Sequence, residues 1–406
     1  MSGYHILLAN VFFAPFTYGG ATIVAEQVAR ELRAQTGWRI SAVSVMSRSD
    51  LAPYTLTRSE VDDIANYVIN LPAGRQYADL YDNPRVTEII AGLMDALKPD
   101  LLHAHCVQDL GAGMFEAAQD RKIPVILSVH DFWWLCDRQF MIRPNQKYCG
   151  QNPVRIDACR GCVDDFSRAR TRLGRLARLA QIPVRVTYPS RFALDLSEAS
   201  GFAAGRGVVW ANGVRLPGPE FFEAQAARRA RDARVSFGFV GGPSQIKGWP
   251  AIRKAFGALD TDDFRLLLVD GSPDGSWWRD VDLSGLPGDV RIHPRFDQQG
   301  MDEFYKEIDV LLFMSQWKET FGLAIREALA RGIHIIQTDS GGTVEHQGSS
   351  SGQAIPIGAP PSVLETRLRG ALVGEGAIQS PLPVTSFADQ AGAFAALVEE
   401  VLAEAR

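Results

Sequence analysis

The sequence contains few cysteines and no long apolar run. Its five cysteines in 406 residues are an odd number, which argues against the paired disulfides of a secreted protein and favours reduced thiols or a metal site. No stretch reaches the roughly 20 apolar residues that cross a bilayer. The first residues carry neither the basic start nor the cleavage site of a secretory leader. We therefore expect a cytoplasmic protein.

The sequence also lacks an excess of charge of one sign. The formal net charge is −5, so we expect no nucleic-acid partner. Apolar residues make up 46% of the chain, which is ordinary for a globular protein, and 406 residues exceed the usual size of one hydrophobic core. The composition therefore predicts two folded domains.

Short apolar runs alternate with amphipathic stretches, the pattern of α/β proteins with parallel sheets. One series of predicted strands starts with HILLA and a second starts with VSFGFVGG. We expect two doubly wound, Rossmann-like domains facing a cleft, with ligands at the carboxyl ends of the strands. The predicted parts are an N-terminal domain (1–212), a linker (213–233), a C-terminal domain (234–380) and a last helix (381–406) that packs back onto the first domain.

Two glutamates flank the entrance of a predicted helix in the C-terminal domain. Glu319 lies on the turn after the strand DVLLFMS, and Glu327 lies more than one turn into the helix that starts at Gly322. A glycine lets the backbone approach a ligand, and the first N–H groups of a helix favour phosphate. Glu319 can accept hydrogen bonds from sugar hydroxyls, and Glu327 from both hydroxyls of a ribose. The alternative is that both are ordinary surface acids.

Further residues that could bind a phosphate or a metal ion lie after or within other predicted strands. Gly241 and Gly242 form a flexible loop after the strand FGFV, and Lys247 is a compact cation suited to a diphosphate. His103 and His105 occupy alternate positions of one strand, so we expect them to point to the same side, either as buried residues or as metal ligands.

The order of these motifs resembles a known family. FVGG, KGW, KETFGLAIREALARG and TDSGGTVEH look like the C-terminal domain of retaining glycosyltransferases of family 4, which have the GT-B fold. FAPFTYGGATIVAEQVARELRAQTGW, PDLLHAHC, VILSVHDFW and VVWANGV resemble their N-terminal domain. The resemblance covers nearly the whole chain. It implies a retaining hexosyltransferase that moves a sugar from a nucleotide-diphospho-sugar to a glycan or lipid-linked acceptor, in the biosynthesis of a cell-surface polysaccharide such as lipopolysaccharide. The donor is expected in the C-terminal domain and the acceptor on the side of the N-terminal domain.

The resemblance also implies roles for individual residues. Lys247, Glu319 and His130 are expected to act at the reacting centre, without a catalytic metal. One departure is Gly242, because the family often has an arginine there that would neutralise diphosphate charge. The residues expected to bind the donor are Gly19, Gly20, Gly241, Gly242, Lys247, Arg295, Thr320, Phe321, Gly322, Leu323 and Glu327.

Four cysteines lie in an insertion, 136–162, that follows the strand ending at His130. They are Cys136, Cys149, Cys159 and Cys162. The Cys-x-x-Cys pair is a chelating unit, and four thiolates can complete a tetrahedral zinc site, so we predict a structural zinc ion. Four reduced thiols or two disulfides are the alternatives, because the first spacing is irregular for a zinc ribbon.

Two further questions stay open at the level of sequence. Arg168, Arg172 and Arg175 share one face of a predicted helix, which either contacts the inner face of a membrane peripherally or packs its apolar stripe on the sheet.

The alternatives to a transferase are a nucleotide-sugar epimerase and a non-catalytic sugar-nucleotide-binding partner, both on the same fold.

Overall fold

The computed structural model describes residues 3–347, 353–375 and 380–405. The chain divides into two compact units. The first contains Met1–Met141, Gly150–Gly213 and Thr385–Arg406, and the second contains Ile142–Cys149 and Val214–Val384. The division at Gly213 lies at the start of the predicted linker 213–233.

Helices connect the strands in both units. Their bounds are α1 (Gly20–Thr36), α2 (Pro84–Leu97), α3 (Met114–Asp120), α4 (Phe166–Leu179), α5 (Arg191–Ala199), α6 (Pro219–Arg231), α7 (Trp249–Gly257), α8 (Met301–Tyr305), α9 (Leu323–Leu329), α10 (Pro361–Leu372) and α11 (Phe387–Glu404). Helix α6 occupies most of the stretch predicted as a linker, with Pro219 at its first position, where proline is favoured. Residues 213–218 and 232–233 of that stretch lie outside the helix.

The first unit is built on a sheet of eight strands in the described part of the chain. The strands are β1 (His5–Ala9), β2 (Arg39–Met46), β3 (Leu56–Val61), β4 (Ile64–Asn70), β5 (Leu101–Ala104), β6 (Val125–Ser128), β7 (Arg185–Tyr188) and β8 (Gly207–Val209). Their order is β3-β4-β2-β1-β5-β6-β7-β8, and only the pair β3 and β4 is antiparallel. The order reverses at β1, as in a doubly wound sheet.

The second unit is built on a parallel sheet, whose strands are β9 (Val235–Phe239), β10 (Phe264–Val269), β11 (Asp289–His293), β12 (Val310–Phe313) and β13 (His334–Gln337). Their order is β11-β10-β9-β12-β13. Successive residues of β10 pack on opposite faces: Leu266 joins a core with Ile252 and Leu368, whereas Leu267 joins one with Phe304. Because both faces are covered, five of the six residues of the strand are apolar, and the exception, Arg265, is buried and paired with Glu307 at 3.3 Å.

The last helix, α11, belongs to the first unit. Ser386 and Asp389 form a capping box that fixes its start. Gln390 accepts a hydrogen bond from the backbone of Gly213 at 2.6 Å, and Trp210 donates to the Gln390 carbonyl at 3.0 Å. These buried bonds hold the end of the chain on the unit with which the chain begins. In the described residues, no helix has both the length and the apolar character to cross a membrane.

Candidate active site

The site of the second unit lies where its strand order reverses. Strand β9 comes first in the chain and lies between β10 and β12. The loops that follow β9 and β12 run to opposite faces of the sheet, which opens a crevice at the carboxyl ends of these two strands. The loop after β9 carries Gly241, Gly242 and Lys247, and the loop after β12 carries Glu319. The predicted donor residues of these loops therefore flank one crevice.

Lys247 and Glu319 form an ion pair across this crevice. The Lys247 Nζ lies 2.8 Å from Glu319 Oε1, and the two side chains are 34% and 14% exposed. The hydroxyl of Ser315 donates to the same carboxylate oxygen. The Glu319 backbone exchanges hydrogen bonds with the loop after β13, donating to Ser340 at 3.0 Å and accepting from Gly342 at 2.9 Å. Glu319 is therefore fixed at both its backbone and its side chain.

An indole ring covers the glycine loop after β9. Gly242 has a φ of +66°, and a Cβ atom placed on it would lie 2.6 Å from the ring of Trp277. A Cβ on Gly271, in the loop after β10, would lie 2.7 Å from the same ring. An arginine at position 242 would have a strained backbone, because of the positive φ, and its Cβ would collide with the Trp277 ring. These two effects explain the departure from the family's pattern. Sequence reasoning missed Trp277, although the glycines after two adjacent strands were a signal.

The entrance of helix α9 is held by a buried arginine. Gly322 precedes the helix with a φ of +81°. Arg326 donates hydrogen bonds of 2.8–2.9 Å to the carbonyls of Gly342, Thr343 and Glu345, and burial lowers its pKa to about 10. It therefore joins the loop after β13 to the helix. Sequence reasoning missed this residue too, although an arginine on the apolar side of a helix was the available signal.

Glu327 is enclosed by the second unit. It is 7% exposed, and its Oε2 accepts a hydrogen bond of 2.7 Å from the hydroxyl of Tyr305. Burial raises the pKa of Glu327, while the bonds with Tyr305 and Gln298 and the charge of Arg331 oppose that rise. The alternative that both glutamates are ordinary surface acids is therefore wrong, since neither side chain lies on the open surface.

The remaining predicted donor residues differ in their surroundings. Arg295 is exposed in the loop after β11. Residues 320–323 connect Glu319 to helix α9, and within them the side chain of Phe321 is buried and those of Thr320 and Leu323 are partly buried. Gly19 and Gly20 belong to the first unit, where Gly19 has a φ of +82° and precedes helix α1. The prediction that these residues bind the donor stays a prediction.

His130 ends a chain of hydrogen-bonded imidazoles in the first unit. His105 Nδ1 lies 2.8 Å from His130 Nε2, and His105 Nε2 lies 3.3 Å from His103 Nδ1. His103 Nε2 lies 2.8 Å from the hydroxyl of Ser128, and its ring stacks on Phe394 of helix α11. His103 and His105 are therefore buried residues with ordinary partners. Burial lowers the pKa of all three imidazoles, that of His130 to about 4.

The basic face of helix α4 is mostly engaged inside the first unit. Arg172 is 4% exposed and donates to the carbonyl of Trp133 at 2.6 Å. Arg175 forms ion pairs of 2.6 and 2.5 Å with Asp82 and Glu116. Of the three arginines, only Arg168 has an exposed side chain. The helix therefore packs against its own unit, which was the second of the two sequence alternatives.

The predicted zinc site does not assemble in the structure. The described residues include all five cysteines, and among them no group of three or more His, Cys, Asp or Glu side chains is arranged to hold a metal ion. The backbone of Cys162 donates to Cys159 at 2.9 Å, which gives the Cys-x-x-Cys pair a tight turn. The residues as they lie do not fit a four-thiolate site, and the zinc ion stays a prediction.

Comparison with known proteins decides the family. A family model described as Glycosyltransferase Family 4 matches residues 18–216, and one described as Glycosyl transferases group 1 matches residues 234–369. The chain belongs to glycosyltransferase family 4. A Klebsiella pneumoniae relative, named an uncharacterized 42.6 kDa protein in the cps region, is 22% identical over 84% of this glycosyltransferase and 87% of its own length.

Solved structures establish the GT-B fold of this glycosyltransferase. HepE of Anabaena, solved in complex with UDP and glucose, is 15% identical with a TM-score of 0.62, over 99% of this chain and 98% of that chain. Sucrose-phosphate synthase of Thermosynechococcus elongatus is 16% identical with a TM-score of 0.64, over 99% of this chain and 97% of that chain. The prediction of two Rossmann-like domains with the GT-B fold is confirmed.

The imidazole chain makes the glycosyltransferase sensitive to acid. The folded state holds His103 and His105 with lowered pKa values, so the unfolded chain binds more protons below pH 6.5 and stability falls as the pH falls. The loss at pH 5 is roughly 2 kcal/mol for each imidazole that stays neutral, at about 1.4 kcal/mol per pH unit. Urea unfolding between pH 7.5 and 5 measures it. His105→Gln should reduce the slope, and His293→Gln, in the other unit, should not. An equal slope in all three proteins would contradict this account.

A metal assay tests the zinc prediction directly. If the insertion rearranges to bind zinc, protein purified without a histidine tag should contain about one zinc ion per chain, and Cys159→Ala should lose both the metal and stability, because metal binding contributes to folding. Cys106→Ala, which changes the cysteine outside the insertion, should keep the metal. Metal-free wild-type protein would contradict the zinc prediction and leave four reduced thiols or two disulfides as the alternatives.

Proposed function

We propose that this glycosyltransferase moves a sugar from a nucleotide-diphospho-sugar, with retention of configuration, to a glycan or lipid-linked acceptor in the biosynthesis of a cell-surface polysaccharide. The Lys247–Glu319 ion pair at the strand reversal of the second unit carries this proposal. The UDP-glucose complex of HepE and the cps-region relative in Klebsiella support the donor class and the setting. A lipid-linked acceptor would bring the enzyme to the inner face of the membrane.

Lys247 serves the leaving group in this proposal. The bond between the anomeric carbon and the phosphate oxygen breaks, and negative charge grows on the departing diphosphate. An ammonium group stabilises that charge more in the transition state than in the bound donor. Because Lys247 has three N–H donors, it can keep its bond with Glu319 while it donates to a phosphate oxygen. The ion pair thus presents a cation that is already oriented when the donor arrives.

Retention follows from attack on the face that the diphosphate leaves. The acceptor hydroxyl forms the new bond to the anomeric carbon, and its proton passes to a departing phosphate oxygen. No protein base is required for this transfer. Glu319 accepts hydrogen bonds from sugar hydroxyls and holds the anomeric carbon in place. The lowered pKa of His130 keeps its imidazole neutral at pH 7, so it can hydrogen-bond a hydroxyl group, which is the role that the resemblance implies for it.

A panel of nucleotide sugars tests the activity. UDP- and GDP-linked sugars are incubated with the protein, and free nucleotide and sugar products are followed. Release of nucleoside diphosphate supports transfer to an acceptor or to water. An altered sugar that stays on its nucleotide would indicate an epimerase, and binding without any product would indicate a non-catalytic partner.

Replacing Lys247 separates catalysis from binding. Lys247→Ala should lower the rate with the donor selected by the panel by roughly 10²- to 10³-fold, because it removes charge stabilisation in the transition state, and should weaken donor binding much less. Lys254→Ala, an exposed lysine of helix α7, is the matched control and should be unaffected. Equal losses of rate and affinity in Lys247→Ala would mean that Lys247 only binds the ground state.

The two glutamates should act on different parts of the donor. Glu327→Ala should weaken binding of the bare nucleoside diphosphate by roughly 1.5–3 kcal/mol, because hydrogen bonds to the ribose are lost. Glu319→Ala should leave that affinity nearly unchanged while transfer falls sharply. Calorimetry with the nucleotide and turnover of the full donor measure the two effects.

A control variant excludes an indirect effect of Glu327. Tyr305→Phe removes the bond between the Tyr305 hydroxyl and Glu327 but keeps the carboxylate. It should therefore retain most of the nucleotide affinity. If Tyr305→Phe weakens the nucleotide as much as Glu327→Ala, the carboxylate acts by supporting the fold and not by binding the ribose.

A further inference from the structure

The imidazole chain of the first unit continues through two hydroxyl groups. His103 Nε2 lies 2.8 Å from the hydroxyl of Ser128 in β6, and that hydroxyl lies 2.7 Å from the hydroxyl of Thr187 in β7. In the other direction, the chain passes through His105 to His130. The four residues before His130 are at most 2% exposed. One line of hydrogen bonds therefore connects the neighbouring strands β5, β6 and β7 to His130.

All links of this line point in the same direction. A neutral imidazole carries one N–H donor and one acceptor nitrogen, and a hydroxyl has one hydrogen. His103 and His105 use both ring nitrogens within the line, so each accepts on one side and donates on the other. Ser128 Oγ has two partners among the described residues, and both belong to the line. The hydrogens therefore run either from Thr187 to His130 or from His130 to Thr187.

The hydroxyl of Thr187 decides between the two directions. In the first, Thr187 donates to Ser128, and Ser128 donates to His103 Nε2. In the second, Ser128 donates to Thr187, whose own hydrogen then needs another acceptor. Within the described part of the chain Thr187 Oγ1 has no partner besides Ser128, and Thr187 is 1% exposed. A buried hydroxyl hydrogen without an acceptor costs free energy, so the first direction is favoured.

The first direction places the hydrogen of all three imidazoles on Nδ1. His103 Nδ1–H donates to His105 Nε2, and His105 Nδ1–H donates to His130 Nε2. His130 therefore uses Nε2 as an acceptor and carries its hydrogen on Nδ1. A second proton would bind at Nε2 and place two hydrogens between His130 and His105. Burial also lowers the pKa of His130, so both effects keep this imidazole neutral.

Aromatic packing fixes the orientation of the buried His103 ring. The ring stacks on Phe394 of helix α11, with centroids 4.1 Å apart and an angle of 22° between the planes. Trp210 meets it edge-on, with centroids 5.9 Å apart. Turning the His103 ring over would bring carbon atoms to the places of both nitrogens and break its bonds with Ser128 and His105. The line of hydrogen bonds therefore has a fixed path.

We propose that Ser128, His103 and His105 are positioning residues that fix the tautomer of His130, so that His130 Nδ1 donates a hydrogen bond and does not accept a proton. In the transfer reaction, His130 then acts as a donor to a sugar oxygen and not as a base. That role rests on the proposed function. The tautomer itself does not, because it follows from hydrogen bonds within one unit.

Nuclear magnetic resonance of the ring nitrogens tests the tautomer. The full-length protein is prepared with histidine that carries nitrogen-15 in the ring, and its seven histidines are assigned by substitution. The protonated and unprotonated nitrogens of a neutral imidazole have well separated resonances, and their couplings to the ring protons distinguish Nδ1 from Nε2. At neutral pH, His130 should show a protonated Nδ1 and an unprotonated Nε2. A protonated Nε2, or comparable populations of both tautomers, would overturn the proposal.

Variants of the hydroxyl residues test what sets the tautomer. Ser128→Ala removes the donor to His103, so His130 should populate both tautomers, and Ser128→Thr should restore the wild-type form. Thr187→Val is the matched control. It removes the other buried hydroxyl, but Ser128 must still donate to His103 to satisfy its own hydrogen, so the tautomer should stay.

A second variant covers the case in which Ser128→Ala does not fold. In His105→Gln, the amide can present either its N–H or its carbonyl to His130, so this change should also release the tautomer. A single Nδ1–H tautomer of His130 in both Ser128→Ala and His105→Gln would show that the line of hydrogen bonds does not set it.

Turnover of the donor separates this proposal from the proposed function. Ser128→Ala should lower the transfer rate by the fraction of His130 that leaves the donating tautomer, which is roughly twofold at equal populations, and Ser128→Thr should restore the rate. An unchanged rate in Ser128→Ala with mixed tautomers would overturn the role of His130 as a donor. Absence of nucleotide release in every protein, with the tautomer as expected, would instead count against the proposed transfer reaction.

Discussion

The ion pair between Lys247 and Glu319 is the contact on which the account of the donor site depends. It joins the loops that follow the two central strands of the second sheet, at 2.8 Å. Partly exposed ion pairs contribute only about 0–1 kcal/mol to the free energy of unfolding. The pair between Lys247 and Glu319 therefore matters because it fixes the positions of the two side chains, and not because it stabilises the fold. A cation and a carboxylate are held at the place where a parallel sheet binds ligands, before any donor is present.

The residues around this pair restrict its loops from several sides. Arg326 ties the loop after β13 to helix α9. Trp277 covers Gly242, so the loop after β9 presents backbone and not an additional cation. The bond between Tyr305 and Glu327 orients a second carboxylate in the same unit. Under the proposed function, Lys247 is therefore expected to carry the diphosphate charge that the family often shares between a lysine and an arginine.

Residues next to strand ends could be predicted from the sequence, because apolar runs locate the strands and the carboxyl ends of parallel strands meet at one edge. Lys247 and Glu319 are of this kind. Trp277 and Arg326 were missed although the sequence carried a signal for each, because only the packing shows which residues they contact: Gly242 for the indole ring and the loop 342–345 for the guanidinium. Helix α4 shows the same limit of sequence-based prediction. The helical spacing places Arg168, Arg172 and Arg175 on one face, but only the packing shows that Arg172 and Arg175 face their own unit.

A crystal structure with a bound nucleoside diphosphate tests the central claim most directly. The protein is crystallised with UDP or GDP, whichever the nucleotide-sugar panel selects. The account predicts a diphosphate oxygen about 3 Å from Lys247 Nζ, in the crevice between the loops after β9 and β12. A nucleotide bound elsewhere, or bound there with Lys247 still paired only to Glu319 and away from the diphosphate, would contradict the account.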